Sequence, residues 1–136
     1  MPLLINFVLS LFFSLVLDML WIGLIAKNIY TENIGHLLRK SGDALAPDWQ
    51  AALIVYLAII TGIIVFALPK AKNHYHHALF WGGLFGAIIY GVYDFTNYSI
   101  LANWPLKITL IDFVWGIFLC GTTTAFALFI QRWFIK

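Results

Sequence analysis

Charge is scarce in this chain. Asp, Glu, Lys and Arg make up only 10% of its 136 residues, against 62% hydrophobic and 18% aromatic. A soluble domain of this size cannot cover so much apolar surface, so a soluble globular class is excluded and an integral membrane protein is expected. The formal net charge of +2 is too small and too dispersed for a nucleic-acid surface. Cysteine is nearly absent as well. Cys120 is the only one, which rules out an intrachain disulfide, and its apolar surroundings read as those of a small buried hydrophobe. There is no phosphate-cradling glycine loop, no H-E-x-x-H and no Ser/His/Asp set, and no motif calls for a cofactor. No Lys or Arg precedes the apolar residues 2–17 and no small-residue cleavage site follows them. This run is therefore expected to be a membrane helix rather than a cleaved signal peptide.

What the chain does have is long apolar runs. About 20 apolar residues cross the hydrocarbon core, and four runs qualify, at about 3–26, 50–68, 77–101 and 105–131. Pro69 stops the second just before Lys70 and Lys72. Asn103 reads as a helix cap and Pro105 as a first-turn proline for the fourth. The fold class expected is an all-α integral membrane four-helix bundle, antiparallel, forming one domain over 1–136, because the loops are too short to fold separately. The one long connection places Ile29, Tyr30, Ile34, Leu37 and Leu38 near one helical face, opposite Glu32, His36, Arg39 and Lys40. That pattern predicts a short helix in the interface, or an extension of the first span, followed by a turn over 42–47. Trp49 and Trp104 read as interfacial anchors.

Orientation rests on Lys and Arg. The side that holds both termini carries Lys70, Lys72, Arg132 and Lys136, and the other carries Lys27, Arg39, Lys40 and Lys107. The tie is broken toward cytoplasmic termini because Glu32, Asp43 and Asp48 dilute the long connection's charge.

Three aspartates, Asp18, Asp94 and Asp112, lie inside the spans. A carboxylate in hydrocarbon costs on the order of 2.5–3.5 kcal/mol, so it normally faces a protein interior and marks a functional site. Antiparallel connectivity puts all three roughly 10–13 Å below the same surface, at 1.5 Å per residue. Tyr56 reaches the same layer from the second span. Asp18 with Trp21 and Asp112 with Trp115 share a D-x-x-W spacing on oppositely directed helices. Tyr90, Tyr93, Asp94 and Asn97 follow one stripe of the third span, which runs back through Gly86 and Gly82, a G-x-x-x-G that permits close helix contact. The stripe is expected to face the bundle interior. No Lys or Arg inside a span neutralises the acids, and clustered carboxylates in low dielectric cannot all ionise, so at least one is expected to hold a proton.

The motifs Leu17-Asp18-x-x-Trp21-x-Gly23, Phe66-Ala67-Leu68-Pro69, Tyr90-Gly91-x-Tyr93-Asp94-Phe95-Thr96-Asn97, Trp104-Pro105-Leu106 and Asp112-x-x-Trp115-Gly116 occur in this order over nearly the whole chain. The set resembles a bacterial four-helix membrane-protein family known as domain of unknown function family 2177. The resemblance implies a bacterial inner-membrane location and supplies no activity.

Several functions fit the residues. In the first, Asp18, Asp94 and Asp112 are the candidate acid/base or proton-binding groups of a pocket near one leaflet. Trp21, Tyr56, Tyr90, Tyr93, Asn97 and Trp115 would then contact a lipid-like, hydrophobic or cationic small molecule. In the second, the protein is a small proton-coupled transporter working as a homodimer, although transporter sites usually lie nearer the midplane. In the third, the acids are polar glue between helices of a structural subunit, at about 0.6 kcal/mol per contact. Three carboxylates also suit a hard cation, while the lack of histidine beside them argues against zinc, and no metal ligand is assigned. His74, His76 and His77 read as a solvated turn at the opposite surface. Thr122, Thr123 and Thr124 are expected to bond back to helix carbonyls or to pack between helices.

Overall fold

A computed structural model describes residues 2–134. Among the described residues, four helical segments are long and apolar enough to cross a membrane: Pro2–Ile25, Trp49–Ala71, Tyr75–Ile100 and Leu106–Phe134. The protein is an all-α membrane bundle, with one small β-hairpin in its long connection.

The first span is α1 (Pro2–Leu20) continued by a π-helical turn, Trp21–Ile25. The wider turn is closed by a bond from the Ala26 amide to the Trp21 carbonyl at 2.7 Å. Ala26 leaves helical geometry at φ −101° and ψ 2°, and a short helix, α2 (Lys27–Ile34), follows. The sequence pattern places Tyr30 and Ile34 on the apolar face of α2, and both are buried. That face packs inward against Ala26, Trp104 and Ile108. Trp104 is thus no exposed anchor. It is buried and donates through Nε1 to Thr109 at 3.1 Å. Trp49, by contrast, stands exposed.

The connection then turns through β1 (Lys40–Ser41) and β2 (Ala44–Leu45), paired antiparallel about Gly42, whose φ of +62° suits a residue without a Cβ. Asp48 caps α3 (Trp49–Gly62) by accepting from the Gln50 and Ala51 amides at 3.1 Å each, a cap worth about 1 kcal/mol. After Gly62 the helix widens over Ile63–Ala67 and tightens over Leu68–Ala71, where Pro69 lacks the amide that a continuing helix needs. Lys72 and Asn73 take left-handed φ values of 48° and 63° to reverse the chain into α4 (Tyr75–Ile100).

The hairpin of α4 with α5 (Leu106–Phe134) is the most closely packed pair. A methyl placed on Gly86 would overlap the Gly116 carbonyl, and one on Gly82 would run into the Thr124 hydroxyl and the Cys120 carbonyl. On α5, a methyl at Gly116 would strike the Tyr90 ring. The absent side chains therefore let the two backbones approach and bring Tyr90 and Asp94 against α5. Since α5 begins at Leu106, Asn103 lies outside the cap position assigned to it, and Pro105 precedes the first helical residue. The Thr109 amide bonds back to the Pro105 carbonyl at 3.2 Å.

Apolar packing falls into two clusters. One gathers Ile59, Ile60, Ile63, Ile64, Leu68, Ala78, Cys120 and Leu128 toward the basic turn. The other is the α2 cluster around Trp104 and Ile108. The acid layer lies between them. Over Trp49–Gly62, α3 hardly touches α4, and a gap lies between them beside that layer.

Candidate functional site

On α1 the buried residues are Asn6, Ser10, Ser14 and Asp18, and no apolar side chain of that helix is among them. Their four-residue spacing puts them on one face. Asn6 donates through Nδ2 to the Ala127 carbonyl of α5 at 3.0 Å, and Ser10 donates to Asn6 Oδ1 at 3.1 Å. Ser14 bonds back to the Leu11 carbonyl at 3.0 Å. A polar seam thus runs along α1 to Asp18. Sequence reading missed its first three members, although the spacing is plain in the chain, because serine in a membrane helix draws no attention singly.

Asp18 ends the seam at 7% exposure. The Tyr56 hydroxyl donates to its Oδ2, and Trp115 Nε1 donates to its Oδ1 at 2.8 Å. The Trp115 ring stacks on Trp21, with centroids 4.4 Å apart and planes 6° from parallel. Trp21 Nε1 donates to the Tyr30 hydroxyl at 3.3 Å, and that hydroxyl donates to Asp112 Oδ1. The two D-x-x-W segments are therefore wired crosswise. The tryptophan beside Asp112 in sequence bonds Asp18, and the one beside Asp18 supports the tyrosine that serves Asp112. Oppositely directed helices make this exchange natural, because each indole reaches along its own face toward the other helix's acid.

Tyr30 is the member of this network that the sequence reading left among the apolar contacts of the connection. It lies outside the spans. Burial is the larger influence on its hydroxyl, and the charge of Asp112 adds to it; both hold its ionisation above the ordinary tyrosine range, so it remains a proton donor.

Asp94 differs from the other two acids. It is 0% exposed, and among the described residues no hydroxyl or N–H reaches either carboxylate oxygen. Asp112 lies close enough across the α4–α5 contact for the two carboxyls to interact. The acids thus converge, tied into one layer by Tyr30, Trp21, Trp115 and Tyr56.

A cleft of about 470 Å³ opens beside this layer. Val55, Ala58 and Ile59 of α3 form one wall, Phe85, Ile89, Tyr90 and Tyr93 of α4 form the other, and Asp112 supplies its polar end. Tyr93 is 56% exposed, so it does not face the bundle interior as expected. It forms the rim of the cleft, edge-on to Trp104 with centroids 6.1 Å apart. Asn97 is half-buried beside Tyr93. Trp21, Tyr56 and Trp115 do not line the cleft and act through their bonds to the acids.

Among the described residues, no three His, Cys, Asp or Glu side chains are arranged to hold a metal ion. His74, His76 and His77 cluster at the basic turn, with ring centroids 4.3–5.4 Å apart. Thr122 and Thr124 bond back to the Phe118 and Cys120 carbonyls at 2.7 Å each, while the Thr123 hydroxyl is buried without a partner.

Residues 3–129 match the family model described as "Predicted membrane protein (DUF2177)". The chain belongs to this family. No curated protein and no solved structure matches it. The match takes in α1 through most of α5, so every residue of the acid layer, and the whole cleft, lies inside the matched region. The multi-pass membrane character read from composition agrees with the four spans and with the family description.

Proposed function

We propose that this protein takes a hydrophobic small molecule from the bilayer into the cleft between α3 and α4 and holds its polar end against the acid layer, as a binding protein or an acid/base catalyst. One observation carries the reading: apolar walls of cavity size end on a carboxylate, Asp112, within the span. Structural glue alone leaves no need for a cleft of about 470 Å³, a volume within the range of small-molecule pockets, roughly 300–1,000 Å³. The membrane belonging to this reading is the bacterial inner membrane, with the end bearing Lys70, Lys72 and Arg132 in the cytoplasm.

The test fills the cleft. Ala58 is an exposed wall residue, so Ala58→Phe adds a ring to the gap without displacing core atoms. Protein purified in lipid nanodiscs is extracted and its bound hydrophobic compounds are identified by mass spectrometry. A compound carried by the wild type and lost from a normally folded Ala58→Phe supports the reading, and identical extracts from the two proteins would end it.

The seam Asn6–Ser10–Ser14–Asp18 favours a second reading, a proton-coupled transporter acting as a homodimer, because buried polar groups on one helix face run from the acid layer toward the other surface. Proton flux into proteoliposomes that Ser10→Leu abolishes is its signature. Equal flux from protein-free vesicles removes it.

A further inference from the structure

The six oxygens of the three aspartates are unequally served. Asp18 receives a donor at each oxygen, from Tyr56 and Trp115, and Asp112 receives one at Oδ1, from Tyr30. Among the described residues no hydroxyl or N–H reaches Asp112 Oδ2 or either oxygen of Asp94, and these two carboxyls lie within hydrogen-bonding reach of each other, so a proton held by one serves both. The groups that bear on Asp112 are Tyr30, Asp18 and Asp94, with no Lys or Arg among them. The cleft end thus presents one acceptor free of hydroxyl and N–H donors, Asp112 Oδ2, with the buried Asp94 carboxyl behind it and no positive charge. Two neighbouring carboxyls without a basic residue beside them favour a ligand that brings a donor and a positive charge. An anionic amphiphile would meet like charges. A neutral alcohol brings one donor and no charge. A protonated amine brings several donors and a positive charge. The aromatic faces of Phe85, Tyr90 and Tyr93 in the cleft wall attract a cation as well.

We infer that the ligand of this cleft is a lipophilic amine, its apolar body between α3 and α4 and its ammonium group donating to Asp112 Oδ2 with Asp94 behind it. This rests on the binding reading above and adds the chemical class of the ligand.

Wild-type protein in phosphatidylcholine nanodiscs is titrated with dodecylamine and with dodecanol, which share a chain and differ in head group. Tryptophan fluorescence reports binding, because Trp115 and Trp21 sit in the acid layer. Empty nanodiscs supply the partitioning baseline. The amine is expected to bind at least about tenfold more tightly than the alcohol. Asp112→Asn should remove that preference, and Ala58→Phe should weaken both. Equal affinity of the two probes for the wild type overturns the inference while the cleft reading stands. Binding of neither probe, or of both undiminished in Ala58→Phe, defeats the cleft reading itself. The wild-type comparison decides the question even where Asp112→Asn fails to fold. In a folded Asp112→Asn, a retained preference for the amine also overturns the inference.

Discussion

The bond from Tyr30 to Asp112 ties α2 to the acid layer, and Tyr30→Phe removes it with little change of shape. Three consequences follow from the geometry. Asp112 loses the donor that it has among the described residues. Trp21 Nε1 loses its acceptor. The ring itself stays against Ile34 and Ile108. Hydrogen bonds to charged groups are worth about 1.5–3 kcal/mol in soluble proteins, whereas cross-helix bonds in membrane proteins average about 0.6 kcal/mol because the reference state finds other partners. The larger figure should govern here, because the indole is stranded together with the carboxylate. A loss of about 2 kcal/mol is expected. The assay is reversible denaturation in mixed micelles for the wild type, Tyr30→Phe, Asp112→Asn and the double variant. A coupling energy above about 1 kcal/mol is expected from the cycle. Additive effects within about 0.5 kcal/mol would refute the claim that this bond holds α2 over the site. Binding in the cleft supplies an independent check, because Tyr30 leaves Asp112 Oδ2 free. Tyr30→Phe should lower stability without lowering dodecylamine affinity.

Gly86→Leu should separate α4 from α5, because its Cβ overlaps the Gly116 backbone, and cost about 1–3 kcal/mol or more. Gly83→Ala meets only Ile117, with its Cγ2 at 3.3 Å, and should be tolerated; comparable melting temperatures for the two variants would contradict the packing account. Asp94→Asn should insert and purify normally and lose amine binding, whereas retained binding together with an Asp94→Ala that cannot fold would favour the glue reading. Asn6→Leu breaks the bond to the Ala127 carbonyl and strands Ser10, and should cost about 0.6–1.7 kcal/mol in the same micelle assay; no change would show the seam to be slack. Tyr30 ionises higher when folded than its unfolded value of 10, so the unfolded chain releases this proton first and stability falls as pH rises past 10. Melting temperature should decline above that pH, and Tyr30→Phe should lessen the decline. An equal decline in both would remove Tyr30 from that account.

Much of this was legible in the chain, and what was not has definite causes. The four spans follow from apolar run length, and the convergence of Asp18, Asp94 and Asp112 follows from counting depth along antiparallel helices. The closeness of α4 and α5 follows from Gly82 and Gly86. The crosswise wiring of Trp21 and Trp115 was not legible, because i, i+3 spacing fixes which face an indole occupies and not which acid it reaches across the interface. Tyr30 was read with the apolar face of a helix at the membrane surface. Only the break at Ala26 turns that face onto α5, and no residue pattern announces the break. Tyr93 shares a stripe with Asp94, but a helical stripe is wide. Its edge became a rim because α3 makes few contacts with α4 at that level, and the separation of two helices is not written in either one's stripe.

The three acids resemble one another in sequence and differ in what surrounds them. Asp18 has both oxygens filled by donors from two other helices, α3 and α5, so its carboxylate already has a structural task as the junction of α1, α3 and α5. Asp112 has one oxygen filled and the other beside a cleft. Asp94 has neither filled and no exposure. A purely structural role predicts that acids kept at such expense are satisfied, since an unmet buried carboxylate adds cost without adding contact. Glue therefore accounts fully for Asp18, whereas Asp94 leans on Asp112 alone, a carboxyl within hydrogen-bonding reach across the α4–α5 contact. Asp112 is the acid that also lines the cleft, so the amine proposed above has one oxygen to meet there, Asp112 Oδ2. Membrane depth brought the three acids together, and the distribution of hydroxyl and indole donors separates Asp18 from the other two.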